Sequence, residues 1–285
     1  MLVGQITDIH VGYERGNREE GNVLRLRQVI DRLCNGPNRP DLLLLTGDLT
    51  EHGDAESYAV LAEELRACAI ACHAIPGNHD RREALAAAFP PPGRMDQGFI
   101  QYAIETAGLR MLFLDTLEEG RHGIAFCAAR AAWLTAELER VPDQPVLIVM
   151  HHPPFDSGIE WMDPPPGSQA IARFHAAVAP HRDRARVISG HLHRVIHANR
   201  EGVSMMSAPS IAPPVGLDLR PLDVDAPDHR ALITREPPGY ALHRWDGMQL
   251  VSHVEFIEGL DPLAELDAQR RDKLRPILDQ RGDPS

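Results

Sequence analysis

The chain has 285 residues, 43% of them hydrophobic, which is enough for one large core. Its 41 acidic and 29 basic residues give a formal charge of −12, and no run of lysine or arginine could follow a nucleic-acid backbone, so duplex binding is disfavoured. No apolar run approaches the roughly 20 residues that cross a bilayer, which disfavours a membrane protein.

The four cysteines, Cys34, Cys68, Cys72 and Cys127, show no dense spacing pattern, and the first residues show no signal-peptide pattern. We therefore expect a cytoplasmic protein. Cys68 and Cys72 raise the question of a metal or redox pair. No second cysteine pair is available to complete a zinc site, so ordinary packing is favoured.

Short apolar runs alternate with helix-period segments through the first two thirds of the chain. LVGQITD at residues 2–8 and DLLLLTGD at residues 41–48 are typical of buried strands. Each is followed by a segment with one apolar helical face, VLRLRQVIDRL and AESYAVLAEELRA, the second with Asp54 as its N-cap. AIACHAIPGNHD then predicts a strand that ends in a Pro-Gly turn, and RREALAAAF predicts a helix.

Further strands are predicted in FIQYAIE, GLRMLFLDT, VLIVM and ARVISGHLH. Helices are predicted from about residue 129 to residue 140 and in SQAIARFHAAVA. Strands that alternate with helices indicate a layered α/β or α+β domain with the sheet inside.

The last third of the chain changes character. Residues 207–240 are rich in proline and aspartate without a steady period, so we expect a long structured loop that serves as a lid or an association element. GYALHRW and LVSHVEFIE predict two antiparallel strands after it. We expect residues 1–260 to form a single domain and residues 261–285 a charged C-terminal helix and tail.

Polar clusters end five of the predicted strands. Because the carboxyl ends of strands in an α/β sheet line a common crevice, residues distant in sequence can converge there. One His-His pair alone is weak, since 15 histidines in 285 residues give about 0.8 such pairs by chance. The five clusters are Asp8 and His10, Gly47 and Asp48, Gly77–Asp80, His151 and His152, and Gly190 with His191 and His193.

The residue types in these clusters indicate a metal site. Aspartate, histidine and asparagine are ligands for borderline divalent cations. Seven such residues are too many for one tetrahedral zinc and fit two ions that share one carboxylate. The candidate ligands are Asp8, His10, Asp48, Asn78, His151, His191 and His193.

The motif order D-x-H, G-D, G-N-H-D, H-H-P and G-H-x-H resembles the calcineurin-like metallophosphoesterase superfamily, and the similarity extends from residue 2 to about residue 196. More narrowly, ITDIH, LTGDLTEHG, IPGNHD, MHHPP and SGHLH resemble the bacterial class III cyclic-nucleotide and glycerophosphodiester phosphodiesterases. The resemblance implies an α/β fold, a four-layer α/β/β/α sandwich of two mixed β-sheets flanked by helices. The resemblance therefore implies two packed sheets, where the alternation of strands and helices alone suggested a single open sheet.

The resemblance also implies a division of the ligands between two ions. Asp8, His10 and His193 would hold one ion. Asn78, His151 and His191 would hold the other, and Asp48 would bridge the two. The metals stay open among Fe, Mn, Zn and Co, because these ligand types suit all four.

Catalytic and substrate-binding roles follow from the same resemblance. His79 is expected beside the substrate, where it donates a proton to the leaving alkoxide or binds a phosphate oxygen. Asp80 is expected to orient His79 or a metal-ligating histidine. Asn78, His79, His193 and His152 are the expected substrate-binding residues, with His152 as a wall of the pocket or a support behind a ligand.

The expected function is that of a dinuclear metal-dependent phosphodiesterase, in which two cations neutralise charge at phosphorus and turn a bridging water into hydroxide. The protein-phosphatase branch has an arginine after G-D that grips phosphomonoesters, whereas GDLTEHG presents Glu51 and His52. Small diesters, such as cAMP or glycerophosphodiesters, are therefore expected over monoesters. The alternatives are a phosphomonoesterase or nuclease on the same site and, more remotely, a binding scaffold without turnover.

The remaining expectations concern the surroundings of the site. Arg194, His197 and the 207–240 loop are expected to shape the leaving-group pocket. By analogy with family members we expect a homo-oligomer, a dimer or larger. Ordinary surface or packing roles are expected for His73, His122, His175, His181 and His243.

Overall fold

A computed structural model describes residues 1–93, 98–262, 264–266, 270–271 and 274–275. Within them, the strands are β1 (Leu2–Ile6), β2 (Leu42–Thr46), β3 (Ala71–Ile75), β4 (Tyr102–Thr106), β5 (Leu109–Phe113), β6 (Val146–Val149), β7 (Ala185–Ser189), β8 (Ile196–Arg200), β9 (Val203–Ser207), β10 (Gly239–Trp245) and β11 (Leu250–Phe256). The helices are α1 (Gly21–Asn35), α2 (Ala55–Arg66), α3 (Arg82–Ala88), α4 (Ala128–Glu139) and α5 (Gln169–Val178).

These strands form two mixed sheets. The first has the order β11-β10-β1-β2-β3, with β1, β2 and β3 parallel and β10 and β11 antiparallel at one side. The second has the order β4-β5-β6-β7-β9-β8, with a parallel centre and one antiparallel strand at each edge. The expectation of two mixed sheets is confirmed.

Alternating side chains of the second sheet serve two separate cores. Met111, Leu147 and Ile188 pack toward the first sheet, in the core that also contains the apolar faces of α1 and α2. Leu112 and Ile148 point the other way, into the core beneath α4 and α5. This period-2 division is why strands β5, β6 and β7 are apolar at nearly every position. The sandwich therefore has helices on both outer faces.

The hairpin of β8 and β9 was not predicted from the sequence. Its first strand, IHANR, is short, polar and partly exposed, so it shows no apolar alternation. The strands join through Glu201 and Gly202, both at positive φ (53° and 92°), as a two-residue hairpin requires. The hairpin extends the second sheet beyond β7.

A buried polar network links the two sheets. Gln5 Nε2 donates to Thr46 Oγ1 (2.9 Å) and to the Ser189 carbonyl across the sandwich (3.0 Å). Gln5 Oε1 accepts from His243 Nε2 at 3.0 Å, and His243 Nδ1 lies 2.7 Å from Ser252 Oγ. Burial lowers the pKa of His243 to about 4, so this histidine is a neutral core residue near pH 7.

Residues 208–238 contain no strand or helix of the two-sheet framework. A β-bridge joins Val215 to Ile233, and Arg25 ties the segment to the body. The Arg25 guanidinium donates to the carbonyl oxygens of Ile211, Ala212 and Glu236. The predicted loop boundaries at 207 and 240 overlap the end of β9 and the start of β10.

The cysteines pair in a way that the sequence did not indicate. Cys34, at the end of α1, forms a disulfide with Cys68, just after α2, with a Cα–Cα distance of 5.2 Å. Ordinary packing was expected for both Cys68 and Cys72. The expectation is wrong for Cys68, which is bonded to Cys34, whereas Cys72 is a free cysteine.

Two further expectations concern the membrane and the C-terminus. Among the residues that the structure describes, none of the helices combines the length and the apolar character that a membrane-spanning segment needs. Much of the C-terminal helix and tail predicted at 261–285 falls outside the described residues.

Candidate metal centre

All seven candidate ligands lie together at one edge of the sandwich. The loops that carry them follow β1, β2, β3, β6 and β7, whose carboxyl ends meet there. Ligand atoms of Asp8, His10 and His193 lie within 4.8 Å of one another, as do those of Asp8, Asp48 and His151. Asn78 Oδ1 lies 3.0 Å from His191 Nδ1, which brings the remaining two residues into the same cluster.

The backbone at these positions is unusual. A non-glycine residue with positive φ is uncommon and costs free energy, and such residues concentrate at functional sites where surrounding structure fixes them. Two backbone hydrogen bonds from the loop after β1 to the Asp48 carbonyl fix part of this arrangement. Five candidate ligands have positive φ, namely Asp8 (51°), His10 (52°), Asp48 (49°), His191 (70°) and His193 (53°).

The glycines of the motifs are required by close packing against the ligands. A Cβ on Gly77 would lie 2.2 Å from Asp48 Oδ1, and a Cβ on Gly47 would lie 2.4 Å from His151 Nδ1. A Cβ on Gly190 would lie 2.8 Å from Asp8 Oδ2. Any side chain at these positions would displace a ligand, so the glycines are part of the site.

Three of the histidines are held in one tautomer. In each, Nδ1 lies beside an oxygen that can only accept, so Nδ1 carries the proton and the lone pair of Nε2 faces the centre. The pairs are His10 with Glu51 Oε2 (2.7 Å), His151 with the Thr46 carbonyl (2.9 Å) and His193 with the Pro213 carbonyl (3.0 Å).

This arrangement fits a bound cation. Nε2 of His10 lies only 3.2 Å from Nε2 of His193, and two lone pairs at that distance repel unless a proton or a metal ion lies between them. Asp8 Oδ1 adds a carboxylate oxygen 3.4 Å from His193 Nε2. Nitrogen and oxygen donors without a thiolate suit borderline divalent metals.

The second half of the centre shares a carboxylate with the first. Asn78 Oδ1 lies 3.2 Å from His151 Nε2, opposite its contact with His191. Asp48 Oδ2 lies 3.3 Å from His151 Nε2 and 3.7 Å from His10 Nε2. One carboxylate oxygen therefore faces both sets of ligands, as a bridging position requires.

The centre polarises its titratable groups strongly. Burial alone would raise the pKa of Asp48, but the adjacent His151 holds that pKa well below its usual range. Burial opposes protonation of His151, yet the Asp48 carboxylate raises the pKa of that imidazole to about 9. Burial and the neighbouring His152 keep the pKa of His191 far below its ordinary value. These opposite shifts follow from one carboxylate that faces several buried imidazoles.

His79 lies at the rim of the centre. Its backbone N–H donates to Asp48 Oδ1 at 2.8 Å, and its Nδ1 donates to the Glu51 carbonyl at 3.0 Å. The side chain is 31% exposed, and its ring centroid lies 4.7 Å from that of His10. Because Nδ1 is engaged, Nε2 is the ring nitrogen left to meet a substrate.

Asp80 has a different set of contacts from those expected. Among the hydrogen bonds of the described residues, its carboxylate makes none to a histidine. It accepts from the backbone N–H groups of Gly77 (2.8 Å), Leu49 (3.2 Å) and Thr50 (3.3 Å) and from Tyr58 Oη (2.6 Å). It thus joins the loop that carries Asn78 to the loop that carries Asp48.

His152 lies behind the centre, and both of its ring nitrogens are engaged. Nδ1 lies 2.8 Å from Thr116 Oγ1, and Nε2 donates to the His122 carbonyl at 3.0 Å. Burial, together with the neighbouring His151, lowers the pKa of His152 to about 3. Its ring supports that of His191 at a centroid distance of 4.6 Å and leaves no ring nitrogen for a substrate.

A cavity of about 350 Å³ opens above the centre. His10, Asp48 and Asn78 lie at its floor, and its wall is mostly apolar. None of the described residues that line this main cavity is an arginine or a lysine. The wall includes Tyr13, His122, Trp161, Met162, Val215 and Ile233.

The surroundings correct two expectations. Arg194 donates to the Val215 carbonyl and pairs with Glu236, so it braces the 208–238 segment, and His197 is exposed on β8; neither lines the main cavity. His122, expected to be ordinary, lies at the cavity wall with its ring 5.1 Å from that of His191. Its neighbours in the sequence R-H-G form no pattern that would distinguish it from an ordinary surface histidine.

Glu51 is the other residue that sequence reasoning left without a role. Its carboxylate contacts His10 Nδ1, and that contact lowers the pKa of Glu51 against the opposing effect of burial. A carboxylate behind a ligating histidine fixes the ring orientation and raises its basicity. The only sequence signal for this role was the position of Glu51 in GDLTEHG, three residues after the candidate ligand Asp48.

The family model for calcineurin-like phosphoesterases matches residues 1–195. The chain belongs to the calcineurin-like phosphoesterase family. Within the family it is 30% identical over 262 residues to a probable glycerophosphodiester phosphodiesterase of Arcobacter nitrofigilis, covering 90% of this chain and 93% of the relative. It is 32% identical over 255 residues to a probable cyclic nucleotide phosphodiesterase of Rhodopseudomonas palustris, covering 87% and 89%.

Two solved structures share the fold. A dimetal phosphatase from Danio rerio matches with a TM-score of 0.66 at 14% identity, covering 90% of this chain and 96% of that chain. The purple acid phosphatase PPD1 from yellow lupin matches with a TM-score of 0.64 at 13% identity, covering 92% of this chain and 52% of that chain. At these identities the likeness concerns the fold alone.

Proposed function

We propose that this chain is a metal-dependent phosphodiesterase that hydrolyses small phosphodiesters on a centre of two divalent ions. The observation that carries the proposal is the position of Asp48. Its Oδ2 faces His10 Nε2 on one side and His151 Nε2 on the other, at 3.7 and 3.3 Å. One shared carboxylate between two ligand sets is the arrangement that two ions need.

We assign the two ligand sets as the motifs suggest. Asp8, His10 and His193 would hold one ion, Asn78, His151 and His191 would hold the other, and Asp48 would contribute to both. When bound, the ions supply Lewis-acid stabilisation of phosphate oxygens and acidify a bound water. Mn, Fe, Zn and Co all suit these donors.

The protein residues at the rim bind and orient the substrate. In its imidazolium form, His79 presents an Nε2–H to a phosphate oxygen or to the departing alkoxide, while its Nδ1–H holds the ring on the Glu51 carbonyl. Asn78 and His193 line the main cavity, where they would contact the phosphate group as well as an ion. Asp80 and His152 support the centre from behind, through the loops and rings that they hold.

The substrate class follows from the cavity and from the relatives. A main cavity without a lining arginine or lysine lacks the fixed cation that a phosphomonoester dianion would favour, whereas a diester carries one charge. The relatives are named as glycerophosphodiester and cyclic nucleotide phosphodiesterases. We therefore propose both kinds of small diester as substrates.

Three further parts of the proposal come from the sequence. We propose a cytoplasmic enzyme that forms a homo-oligomer. The 208–238 segment, which contributes Val215 and Ile233 to the cavity wall, is the proposed lid or association element. Residues 1–260 are proposed to form one domain.

The test combines metal content with turnover. The purified protein is loaded with Mn²⁺ or Zn²⁺, bound metal is counted, and rates are compared on bis(p-nitrophenyl) phosphate, cAMP, glycerophosphocholine and p-nitrophenyl phosphate. We expect two equivalents and faster hydrolysis of diesters than of the monoester. One equivalent, or a preference for the monoester, would overturn the proposal.

A further inference from the structure

A second cavity lies beside the main cavity and shares part of its wall. This side chamber has a volume of about 220 Å³, and its walls include Gly123, Ile124, Pro153, Phe155, Asp163 and Leu192. Four residues line both cavities: His122, Trp161, Met162 and His191. Trp161 and Met162 are consecutive residues that face both cavities, and we call this pair the partition.

The partition is held rigidly by its own loop. The Asp163 carboxylate accepts hydrogen bonds from the Ser157 backbone N–H (2.7 Å), Ser157 Oγ (2.6 Å) and the Gly158 N–H (2.8 Å). The Met162 N–H donates to the Ile159 carbonyl at 2.8 Å, which closes the turn. Trp161 is therefore presented by a closed loop, and the shape of the partition exists before a substrate arrives.

The partition is also tied to the 208–238 segment. The Leu222 N–H donates to a Glu160 carboxylate oxygen at 2.6 Å. Leu219 lies close to Gly158, 3.3 Å from where a Cβ would stand. The segment that supplies the far wall of the main cavity thus braces the wall between the two cavities.

The lining of the side chamber is mixed, and no arginine or lysine is among its described lining residues. The Asp163 carboxylate accepts hydrogen bonds from its own loop, and both ring nitrogens of His152 are bonded to protein. The shared His122 and His191 add imidazole rings, and Ile124, Pro153, Phe155 and Leu192 add apolar surface. Its volume corresponds to about seven water molecules at about 30 Å³ each. The chamber suits a compact, uncharged group and disfavours an anionic one.

A phosphodiester carries two ester arms that diverge from phosphorus. Resting on the proposed function, we propose that this enzyme takes acyclic diesters with one arm in each cavity: the leaving arm in the main cavity and a compact, uncharged second arm in the side chamber. His191, a candidate ligand that lines both cavities, marks the point from which the arms diverge. A cyclic diester joins both ester oxygens through one carbon skeleton, so its arms cannot separate across Trp161.

The experiment compares two substrates with the same leaving group. Methyl p-nitrophenyl phosphate has a minimal second arm, and bis(p-nitrophenyl) phosphate has an aryl second arm. Gly123→Phe adds a benzyl group to the wall of the side chamber, at a position where a Cβ meets no atom within 4 Å and φ is not positive. We expect kcat/KM for the bis-aryl ester to fall about tenfold or more and that for the methyl ester to stay within about twofold.

Trp161→Ala provides the second variant and Trp133→Ala its matched control. Trp133 is a partly buried tryptophan on α4 that packs on the outer core and lines neither cavity. Loss of the partition should lower the ratio of bis-aryl to methyl kcat/KM, while Trp133→Ala should leave it unchanged. Hydrolysis of cAMP should be spared by Gly123→Phe.

The outcomes separate this inference from the proposed function. If wild-type protein hydrolyses neither diester when loaded with metal, the proposed function falls and this inference falls with it. If the methyl ester is hydrolysed but neither variant changes the ratio, only the two-cavity assignment is overturned. If Gly123→Phe loses both activities through misfolding, the ratio in Trp161→Ala against Trp133→Ala decides the matter.

Discussion

The floor and the outer wall of the main cavity are built in opposite ways. On the floor, His10 and Asp48 are 7% and 2% exposed, and both follow strand ends. On the outer wall, Ile233 is 53% exposed, and Leu219 and Val224 of the same segment are 61% and 76% exposed. Groups that hold charge need fixed positions, whereas a wall that meets variable substrate arms needs only shape. The two regions should therefore respond differently to substitution.

The largest effect is expected at the shared carboxylate of the floor. Asp48→Asn removes the negative charge between His10 and His151, and kcat/KM for bis(p-nitrophenyl) phosphate should fall by at least about 10³-fold. Bound metal, counted by mass spectrometry, should drop below two equivalents with the circular dichroism spectrum unchanged. Near-normal turnover would contradict the bridging assignment.

His79 is the next most sensitive position. His79→Ala should lower kcat by about 10²-fold for a diester with an alkoxide leaving group, because a proton donor matters most for a poor leaving group. The loss on bis(p-nitrophenyl) phosphate should be smaller. Equal losses on both substrates would assign His79 to phosphate binding without proton transfer.

Glu51 tests the support behind the floor. Glu51→Gln weakens the hydrogen bond that fixes the His10 tautomer, so metal affinity should fall by about 10- to 100-fold. Isothermal titration of metal-free protein with Mn²⁺ measures this directly. Glu63→Gln, an exposed partner of Arg18 on α2, is the control and should bind metal like the wild type. An unchanged affinity in Glu51→Gln would remove Glu51 from the centre.

The buried His243 should make the stability of the sandwich depend on pH. Its folded pKa of about 4 lies below the ordinary 6.5, so its contribution to stability is fully present above pH 6.5 and is lost as pH falls toward 4. That contribution amounts to about 3 kcal/mol. His243→Asn should be less stable than the wild type at pH 7. Between pH 6.5 and pH 4, its free energy of unfolding should fall by about 3 kcal/mol less than that of the wild type.

Urea unfolding of both proteins with EDTA present, at several pH values, measures this difference. The other buried histidines are common to both proteins and cancel in the comparison. Parallel pH curves for the two proteins would show that His243 does not titrate as a buried neutral group.

The smallest effect is expected on the outer segment. Asp228→Asn removes one of several partners of Arg230, which also donates to the carbonyl oxygens of Arg220 and Pro221, so the loss of stability should be small. Stability and kcat on bis(p-nitrophenyl) phosphate should both stay close to wild type, as thermal unfolding and steady-state rates would show. A large loss of turnover would mean that this part of the segment acts in the chemistry.

Much of the floor could be predicted from local sequence. The apolar strands, the polar residues at their ends and the glycines beside them are separate short patterns, and each depends on nearest neighbours along the chain. The resemblance to a known family added the division of the ligands. Even so, the reason for Gly77 and Gly190 is contact with Asp48 and Asp8, which only the folded arrangement reveals.

The sequence by itself determined the alternation of strands and helices and the polar residues at five strand ends, because hydrophobic period and composition are local properties. Tertiary structure alone decided which distant groups meet: Glu51 behind His10, His122 at the cavity wall, Trp161 between two cavities and Cys34 beside Cys68. Those contacts depend on how loops from different strands pack against one another, and no spacing along the chain encodes that distance.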